Sequence, residues 1–341
     1  MRILFYALFT MLIVGCSGNS VQTVATFQGQ QVTGVTVSNS GRVFANFPRW
    51  RAGVENAVVE VKDGKSVAFP SESWNNWELG KPLAETTFVA VQSVVASGDK
   101  LYVLDTRNPK FKGVLGAPKV FVFDLNTNNL LKTYTFLKNA YHKDSYINDV
   151  RIDEKRQLAY FTDSGHAGIV ILNLKNGNTK RVLDNHSSTK SEQDFLTIDG
   201  EKWENTVHSD GIALDLKNDM LYFHALTGYS LYRIPVEILV KKKKSEVAES
   251  VEFVTKTTAP DGMIMDADGN LYYADLEHHK IMKYDVQNNQ ETVFLDSSED
   301  IQWADTFSIF NGELYYTNSA IHLAKGSIED ISFSIKKVSL K

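Results

Sequence analysis

The chain has 341 residues, of which 43% are hydrophobic and 23% are charged, and its formal net charge is −5 at pH 7. This composition is that of a soluble globular protein with one large domain or two ordinary ones. The net negative charge argues against a nucleic-acid partner. The only basic run, 241–244, is typical of an exposed loop.

The first predicted element is an export signal. A basic start, Met1-Arg2, precedes an apolar run over 3–14 and then Gly15-Cys16-Ser17. This run is too short to span a bilayer as a mature helix. A small residue before the only cysteine of the chain resembles the lipobox of bacterial lipoproteins. That resemblance implies a lipoprotein signal peptide over 1–15 and lipidation of Cys16.

The lipid on Cys16 would anchor an exported protein on the extracytoplasmic side of a membrane. Ser17 after the cysteine favours the outer membrane, if the cell has two. The alternative is that Cys16 is a buried core thiol, but it follows a signal-like run. With this cysteine lipidated, a mature monomer has no disulfide, so the fold must depend on its core.

The rest of the chain repeats one pattern six times: an apolar run, a polar turn, and an apolar-aromatic run closed by a polar residue. The second runs begin at Val43, Leu101, Leu158, Leu221, Leu271 and Leu314. Their steps range from 43 residues (271 to 314) to 63 residues (158 to 221). The fifth copy turns at Asp268-Gly269, which strongly favours a β-hairpin. Third strands are predicted at 57–61, 120–125, 169–174, 230–235 and 281–286, and fourth strands at 130–136, 179–183 and 291–295.

Repeats of this length with about four antiparallel strands each are typical of propeller blades. The sequence therefore predicts an all-β fold, a six-bladed β-propeller over 31–341. Residues 16–30 are expected to form the lipidated N-terminus, a short linker and a closing strand. That strand, 21–27, is predicted to complete one blade by pairing near the C-terminus, where 331–340 alternates.

Polar residues are predicted to converge at one mouth of the central channel. In a propeller, the first strand of each blade lines the channel and the second strand returns to the face where the first began. The starts of first strands and the ends of second strands therefore meet at this mouth. They are Thr33, Asn46, Gln92, Ser93, Asp105, Asn148, Asp149, Asp163, Asp210, His224, Asp261, Asp275, Asp305, Thr306 and Asn318.

This set predicts a ligand or metal site. Clustered carboxylates and amides suit a hard cation such as Ca²⁺. Without a cation, the acids would raise each other's pKa. Any single Asp or Asn is better explained as a cap at a strand end, so the prediction depends on the convergence of many such residues. The residues expected to contact a small ligand include Asp105, Asp275, Asp305, Thr306 and Trp303.

Aromatic and histidine residues are further candidates. Aromatic side chains on the nearby connections could stack on a bound cation, although packing between blades also explains them. They are Phe47, Trp50, Trp74, Trp77, Tyr146, Trp203 and Trp303. His208 and His224 flank the fourth hairpin and are candidate acids or bases. His278 and His279 are adjacent, so a strand would point them to opposite faces and they make a poor metal pair.

Several long motifs resemble one known family. They are "VQSVVASGDKLYVLDTRNP", "SYINDVRIDEKRQLAYFTDSG", "SDGIALDLKNDMLYFHALTGYSLYRIP" and "WADTFSIFNGELYYTNSAIH". From about Gly34 to His322 the chain resembles the major royal jelly protein/yellow family, in its bacterial branch. The resemblance implies a six-bladed propeller and an exported protein. Insect yellow proteins are linked to melanin chemistry, including dopachrome conversion, and salivary relatives bind biogenic amines at one channel mouth.

The same resemblance adds one candidate binding residue. Asn318, in "YYTNSAIH", matches the asparagine of the family's "SNRL" stretch, which contributes to the amine pocket. Here Ser319-Ala320 replaces Arg-Leu, so the pocket is expected to differ.

A more distant resemblance is to the gluconolactonase/senescence marker family, which holds a divalent metal with four first-strand residues. "PDGM" matches at Asp261, "INDV" at Asn148, and "SDGIAL" at Asp210 in place of an asparagine. The fourth ligand, a glutamate, has no match, because Thr33-Gly34 stands there. This departure argues against lactonase chemistry more than against metal binding by Asn148, Asp210 and Asp261.

Three functions of different classes stay open. The first is an exported, membrane-anchored protein that binds a small polar or cationic aromatic molecule. The second is a metal-assisted hydrolase or isomerase, in which Asp210 or Asp261 is the general base and His208 or His224 a less favoured choice. The third is a surface scaffold. We favour small-molecule binding by a monomer, with Ca²⁺ or another divalent metal, no organic cofactor and no nucleic acid; whether the site is catalytic stays open.

Overall fold

The computed structural model describes residues 20–341. The predicted signal peptide and Cys16 lie outside the described residues, so the lipid anchor stays a prediction. Within the described part of the chain, no helix has both the length and the apolar character needed to cross a membrane.

Six antiparallel sheets of four strands each form the molecule, which confirms the predicted six-bladed propeller. The first strand of the described chain is β1 (Gln22–Gln28). Blades 1 to 3 consist of β2 (Gly34–Val37), β3 (Val43–Asn46), β4 (Val58–Lys62) and β5 (Lys65–Ala68); β6 (Val91–Ser97), β7 (Lys100–Asp105), β8 (Lys119–Asp124) and β9 (Leu130–Thr135); and β10 (Ile147–Asp153), β11 (Leu158–Asp163), β12 (Gly168–Asn173) and β13 (Thr179–Val182).

The second half of the chain continues the same order after one inserted hairpin, β14 (Phe195–Ile198) and β15 (Glu201–Glu204). Blades 4 to 6 consist of β16 (Ser209–Asp215), β17 (Met220–Ala225), β18 (Ser230–Pro235) and β19 (Glu252–Lys256); β20 (Met263–Met265), β21 (Asn270–Asp275), β22 (Lys280–Asp285) and β23 (Gln290–Asp296); and β24 (Ala304–Phe310), β25 (Glu313–Asn318), β26 (Ser332–Ser339) and β1.

The described chain contains little helix. The helices are α1 (Glu72–Asn75), α2 (Val236–Lys241) and α3 (Lys244–Glu249), with 3-10 turns at Pro109–Phe111 and Ile321–Leu323. Helices α2 and α3 lie between the third and fourth strands of blade 4. The basic run 241–244 contains the last residue of α2, a non-helical link and the first residue of α3, and its side chains are exposed, as predicted for a solvated loop.

The last blade is closed by the N-terminal strand. β1 pairs antiparallel with β26, with Phe27 opposite Phe333, and β26 pairs with β25. The predicted pairing of 21–27 with 331–340 is therefore confirmed. This closure joins the two ends of the described chain in one sheet, so that no blade lacks its outer strand.

The core lies between the blades. The leucines that mark five of the six repeats, Leu101, Leu158, Leu221, Leu271 and Leu314, are at most 5% exposed. Each innermost strand packs beside the innermost strand of the next blade, and β24 packs beside β2. This ring surrounds the central channel and fixes where the start of each inner strand lies.

Candidate active site at the channel mouth

Irregular pairing at the start of the inner strands positions the polar residues of the mouth. Four of these strands change register near their first residues, which marks a β-bulge in each. The residues within or beside the irregular segments include Gln92, Asn148, Asp210 and Asp305. A bulge redirects a side chain that would otherwise follow the pleat of the strand. The four side chains accordingly line one cavity at the mouth.

Close contact between neighbouring inner strands explains the Asp-Gly pairs in "SDGIAL" and "PDGM". A Cβ atom at Gly211 would lie 2.5 Å from the backbone oxygen of Asp261. A Cβ atom at Gly262 would lie 2.2 Å from the backbone oxygen of Asp305. The backbone N–H of Gly262 instead donates to that oxygen at 2.7 Å. Glycine after each acid therefore allows the acidic residues of adjacent blades to approach one another.

The cavity has a volume of about 740 Å³, with an acidic floor and aromatic walls. Its floor contains Gln92, Asn148, Asp210, Asp261 and Asp305, which come from the inner strands of blades 2 to 6 or the residues just before them. Its aromatic lining consists of Trp50, Phe111, Tyr146, Trp203 and Trp303. Arg51, Lys202 and Lys325 also line the cavity. A volume of this size accommodates a small organic molecule.

A chain of hydrogen bonds connects wall and floor on one side of the cavity. The Tyr146 hydroxyl donates to Gln92 Oε1 at 2.7 Å, and Gln92 Nε2 donates to Asn148 Oδ1 at 2.7 Å. Asn148 Nδ2 in turn donates to Asp210 Oδ2 at 2.6 Å. These bonds fix the amide planes and hold one oxygen of Asp210 in place.

On the other side, Trp303 holds the second acid. Its indole Nε1–H donates to Asp261 Oδ2 at 2.5 Å, and both side chains are buried. Trp303 packs edge-on against Trp203, with ring centroids 4.9 Å apart. One indole therefore both forms part of the wall and orients a floor carboxyl.

Within the described part of the chain, the floor acids have no cationic partner. Among the ion pairs of residues 20–341, none includes Asp210, Asp261 or Asp305; the nearby Arg151 pairs with Asp149 instead, at 3.6 Å. Burial raises the pKa of Asp261 to about 7. Burial, followed by the charges of the neighbouring acids, raises the pKa of Asp210 and of Asp305 well above the usual range. The floor therefore contains carboxyls that hold protons near neutral pH, as in many acid–base sites.

The predicted metal ligands Asn148, Asp210 and Asp261 all lie on this floor, but they do not form a ready calcium shell. Asn148 directs its amide nitrogen, rather than its oxygen, at Asp210. Among the described residues, the only group of three or more His, Cys, Asp or Glu with ligand atoms within 4.8 Å of one another is His142, His166 and Asp184, outside the cavity lining. Calcium requires six to eight oxygens, so bound Ca²⁺ would need Asn148 to turn and other oxygens to join.

Two residues expected to bind a ligand instead hold backbone behind the cavity. Asp105 accepts hydrogen bonds from the backbone N–H groups of Val89 and Ala90, each at 2.8 Å. Asn318 Oδ1 accepts from the backbone of Gln302 and Trp303, at 2.8 and 3.0 Å. Neither lines the cavity. Their geometry is that of strand-end caps, and Asn318 affects the site through the placement of Trp303.

Other predicted residues also lie outside the cavity lining. Asp275 contacts His278 Nδ1 at 2.9 and 3.0 Å. The Thr306 hydroxyl donates to Asp305 Oδ1 at 3.3 Å and so supports a floor acid. His208 Nδ1 accepts from the backbone N–H of Ser191 at 3.1 Å, and burial lowers its pKa. The structure therefore does not bring His208 to the floor where Asp210 and Asp261 meet.

His224 is likewise removed from the cavity. It is 1% exposed, and its two ring nitrogens contact the Ala225 backbone oxygen and the Thr257 hydroxyl. Burial lowers the pKa of His224 to about 4. This histidine is a satisfied core residue.

The candidate aromatics divide between wall and core. Trp50, Tyr146, Trp203 and Trp303 line the cavity, as the ligand hypothesis required. Trp74 packs against Phe88, Phe121 and Phe123 inside the protein. Phe47 packs against Phe27, and Trp77 lies beneath the Arg49 guanidinium. These three fit the alternative of structural packing.

Sequence reasoning missed the hairpin β14–β15, which carries Lys202, Trp203 and Glu204 into the cavity lining. Its turn is Asp199-Gly200, a dipeptide with the same hairpin preference as Asp268-Gly269. It lies outside the six repeats. The flanking stretches "FLTI" and "EKWE" would have indicated a seventh hairpin if that dipeptide had been considered.

Comparison with solved structures finds other propellers. A luciferin-regenerating enzyme superposes with a TM-score of 0.59 at 12% identity, covering 94% of this chain and 95% of that one. A gluconolactonase from Xanthomonas campestris gives 0.59 at 11% identity, covering 95% and 90%. Regucalcin, a calcium-binding protein from Agrobacterium tumefaciens, gives 0.56 at 13%, covering 95% and 96%. At these identities the likeness establishes the fold alone.

Sequence comparison identifies the family. Major royal jelly protein 6 of Apis mellifera is 24% identical over 216 residues, which cover 60% of this chain and 48% of the relative. Dopaminechrome tautomerase of Drosophila melanogaster is 22% identical over 231 residues, covering 61% and 48%. The chain thus matches about half the length of these curated relatives. The model of the major royal jelly protein family matches residues 89–337, and the chain therefore belongs to that family.

Proposed function

We propose that this protein binds a small, planar, polar molecule in the cavity at the channel mouth and catalyses its tautomerisation by proton transfer. The observation that carries the proposal is the combination found in one cavity: aromatic walls above a floor of buried carboxyls that form no ion pair with any of residues 20–341. An aminochrome, a cyclic quinone with a ring nitrogen, is the substrate class that we favour.

The floor supplies both groups that a tautomerisation requires. Conversion of an aminochrome to a dihydroxyindole moves two protons from ring carbons to the two quinone oxygens in two successive transfers, with no net oxidation or reduction. In each transfer one proton leaves a ring carbon and one is added to a quinone oxygen. Asp261, with a pKa of about 7, is the base that takes the carbon-bound proton. Asp210, whose pKa is raised further by burial and by the charge of Asp261, is the acid that gives a proton to the oxygen.

The walls supply orientation. The lining aromatics, including Trp50, Tyr146 and Trp203, offer faces on which a flat ring can stack. The Trp303 indole holds Asp261 at a fixed position, and Asn148 holds Asp210. A ring held between the walls would therefore meet a carboxyl that is already oriented, which reduces the entropy lost on reaching the transition state.

The relatives support this class of reaction. Dopaminechrome tautomerase is one of the curated proteins that the chain resembles, and the similarity covers 61% of this chain. The proposal applies that reaction class to this cavity. The exact substrate, the membrane anchor at Cys16 and the extracytoplasmic location remain proposals from the sequence.

The test is the rate at which the visible absorbance of dopaminechrome is lost, with the spontaneous rate subtracted. We expect the purified protein to accelerate the loss and Asp261→Asn to reduce kcat by at least about 100-fold, since general acid–base catalysis contributes about 10²–10⁴-fold. The matched control is Asp268→Asn, which makes the same change at the exposed turn of the same hairpin. Equal rates for Asp261→Asn and Asp268→Asn would contradict the proposal.

A divalent cation such as Ca²⁺ is a second candidate occupant of the floor. The supporting observation is that burial raises the pKa of three neighbouring carboxyls, Asp210, Asp261 and Asp305, and that the charge of Asp261 raises the pKa of the other two further. With Asn148 turned, Asn148, Asp210 and Asp261 would be the ligands. Calorimetric titration with Ca²⁺ tests this: saturable binding that weakens in Asp261→Asn supports it, and no heat of binding rejects it.

A further inference from the structure

A cluster of two histidines and an aspartate lies on blade 3, outside the residues that line the cavity. His142 lies between β9 and β10, His166 between β11 and β12, and Asp184 just after β13. Their ligand atoms all lie within 4.8 Å of one another. The two imidazole rings are stacked, with centroids 3.8 Å apart. Three separate connections of the fold therefore bring three metal-ligating side chains together.

We propose that His142, His166 and Asp184 form a binding site for a borderline divalent transition ion, with Zn²⁺ as the best match. Imidazole nitrogen and carboxylate oxygen are typical zinc ligands, whereas Ca²⁺ and Mg²⁺ prefer oxygen alone. The side chains are 39%, 21% and 39% exposed, so an ion can reach them from solvent. Three protein ligands leave a further coordination position for water.

The neighbours of His166 leave its Nε2 unprotonated, as a metal ligand must be. Its Nδ1 contacts both oxygens of Asp144, at 3.1 and 3.2 Å, and this places the ring proton on Nδ1. Its Nε2 accepts from the Asn185 amide at 2.8 Å, as a nitrogen with an available lone pair does. In zinc sites, the ring nitrogen of a ligating histidine that does not bind the metal commonly donates its proton to a carboxylate, which orients the ring. Nε2 also faces Asp184 Oδ1, at 3.8 Å.

Asp184 and His142 complete the set. His142 Nε2 lies 3.1 and 3.2 Å from the two Asp184 oxygens. In the absence of metal, this nitrogen donates its proton to the carboxylate; a neutral ring that carries its proton on Nδ1 instead can ligate. Asp184 Oδ1 also accepts from Arg181 Nε at 2.5 Å, which holds the carboxylate in place. One ion would thereby join three connections of the fold.

The experiment is calorimetric titration of the purified protein, prepared without a histidine tag, with ZnCl₂. We expect one saturable site, with binding weakened at least about tenfold in His142→Ala and His166→Ala. In Asp144→Asn we expect binding weakened about 10- to 100-fold, because His166 Nδ1 loses its carboxylate partner. The matched control is His278→Ala, which removes an exposed histidine paired with Asp275 three residues away but with no third ligand. We expect its affinity to equal that of the unmodified protein.

The outcomes separate this site from the cavity floor. Zinc binding retained in Asp261→Asn but weakened in His166→Ala supports the proposal, whereas the reverse pattern, or no saturable binding, overturns it. Melting in the presence of chelator establishes that each variant folds. If an alanine variant does not fold, ¹⁵N-histidine NMR of the unmodified protein replaces it: we expect two Nε2 resonances to shift with Zn²⁺, and unchanged histidine resonances would overturn the proposal.

Discussion

The two acids of the fifth hairpin, Asp261 and Asp275, have different roles although their sequence positions are symmetric. The pairing of Met263 with Tyr273 confirms the hairpin and places both acids at the same end. Asp261 lies before the regular part of β20, so its side chain leaves the pleat and reaches the cavity floor. Asp275 ends β21 and contacts His278. The sequence pattern indicates at which end of the sheet each acid lies. The direction of a side chain in an irregular segment depends instead on contacts with the adjacent blade.

The raised pKa of Asp261 predicts a stability that depends on pH. The folded protein keeps this proton up to about pH 7, whereas an unfolded chain releases it at about pH 4. The folded state then binds more protons between these values, so the free energy of unfolding should fall as pH rises through this window. Asp261→Asn removes the titrating group, and we expect it to reduce the fall by on the order of 1–4 kcal/mol.

Urea denaturation at pH 4.5, 6 and 7.5 measures this dependence. Asp268→Asn is the control, since Asp268 is exposed at the turn and should leave the pH dependence as it is. Identical curves of stability against pH for the protein and Asp261→Asn would mean that the Asp261 carboxyl is not held protonated by the fold.

At the scale of elements, hairpins and their turns were predictable and their irregularities were not. Dipeptides such as Asp268-Gly269 determine a turn locally, so all six repeat hairpins follow from the sequence. The bulges at the start of β10 and β16 depend on packing against the neighbouring inner strands. A local sequence pattern does not predict that packing. The inserted hairpin β14–β15 had a local signal but lay outside the repeat, and it supplies one wall of the cavity.

The hairpin β14–β15 should contribute to binding through Trp203. Trp203→Ala removes one aromatic face from the cavity and the edge-on contact with Trp303. We expect the affinity for dopaminechrome to fall by about 1 kcal/mol or more, which is roughly fivefold or greater. Quenching of tryptophan fluorescence during titration measures the affinity.

Phe195→Ala provides the comparison for Trp203→Ala. Phe195 lies on the same hairpin and packs under the Lys202 ammonium, but it does not line the cavity. We expect its affinity to match that of the unmodified protein. A loss of affinity in Phe195→Ala as large as in Trp203→Ala would mean that the hairpin acts by its overall placement and not through the Trp203 ring.

At the scale of the whole molecule, the propeller and its closure followed from the sequence because they depend on repetition. Six spaced hairpins and an alternating C-terminal stretch, 331–340, were enough to predict six blades and the strand that completes the last one. The site was predictable only in part. Convergence of the inner strands identified Asn148, Asp210, Asp261 and Asp305, but residues such as Asp105 at the strand ends cap backbone instead.

Closure of the ring should be a large contribution to stability. Phe27 on β1 is 6% exposed and packs edge-on against Phe47, with centroids 5.1 Å apart. We expect Phe27→Ala to lower the free energy of unfolding by about 3–5 kcal/mol, the usual cost of truncating a buried phenylalanine. Urea denaturation measures it. Phe253→Ala, on an outer strand with 55% exposure, should cost less than about 1 kcal/mol, and equal losses would contradict the closure argument.

The measurement that tests the central claim most directly is the pH profile of kcat for dopaminechrome conversion. If Asp261 is the base, kcat should rise as this carboxyl ionises, with a midpoint at about pH 7, and Asp261→Asn should lack this rise. A profile that is flat between pH 5.5 and 8.5, or one that Asp261→Asn shares with the unmodified protein, would contradict the assignment of proton transfer to the floor of the channel mouth.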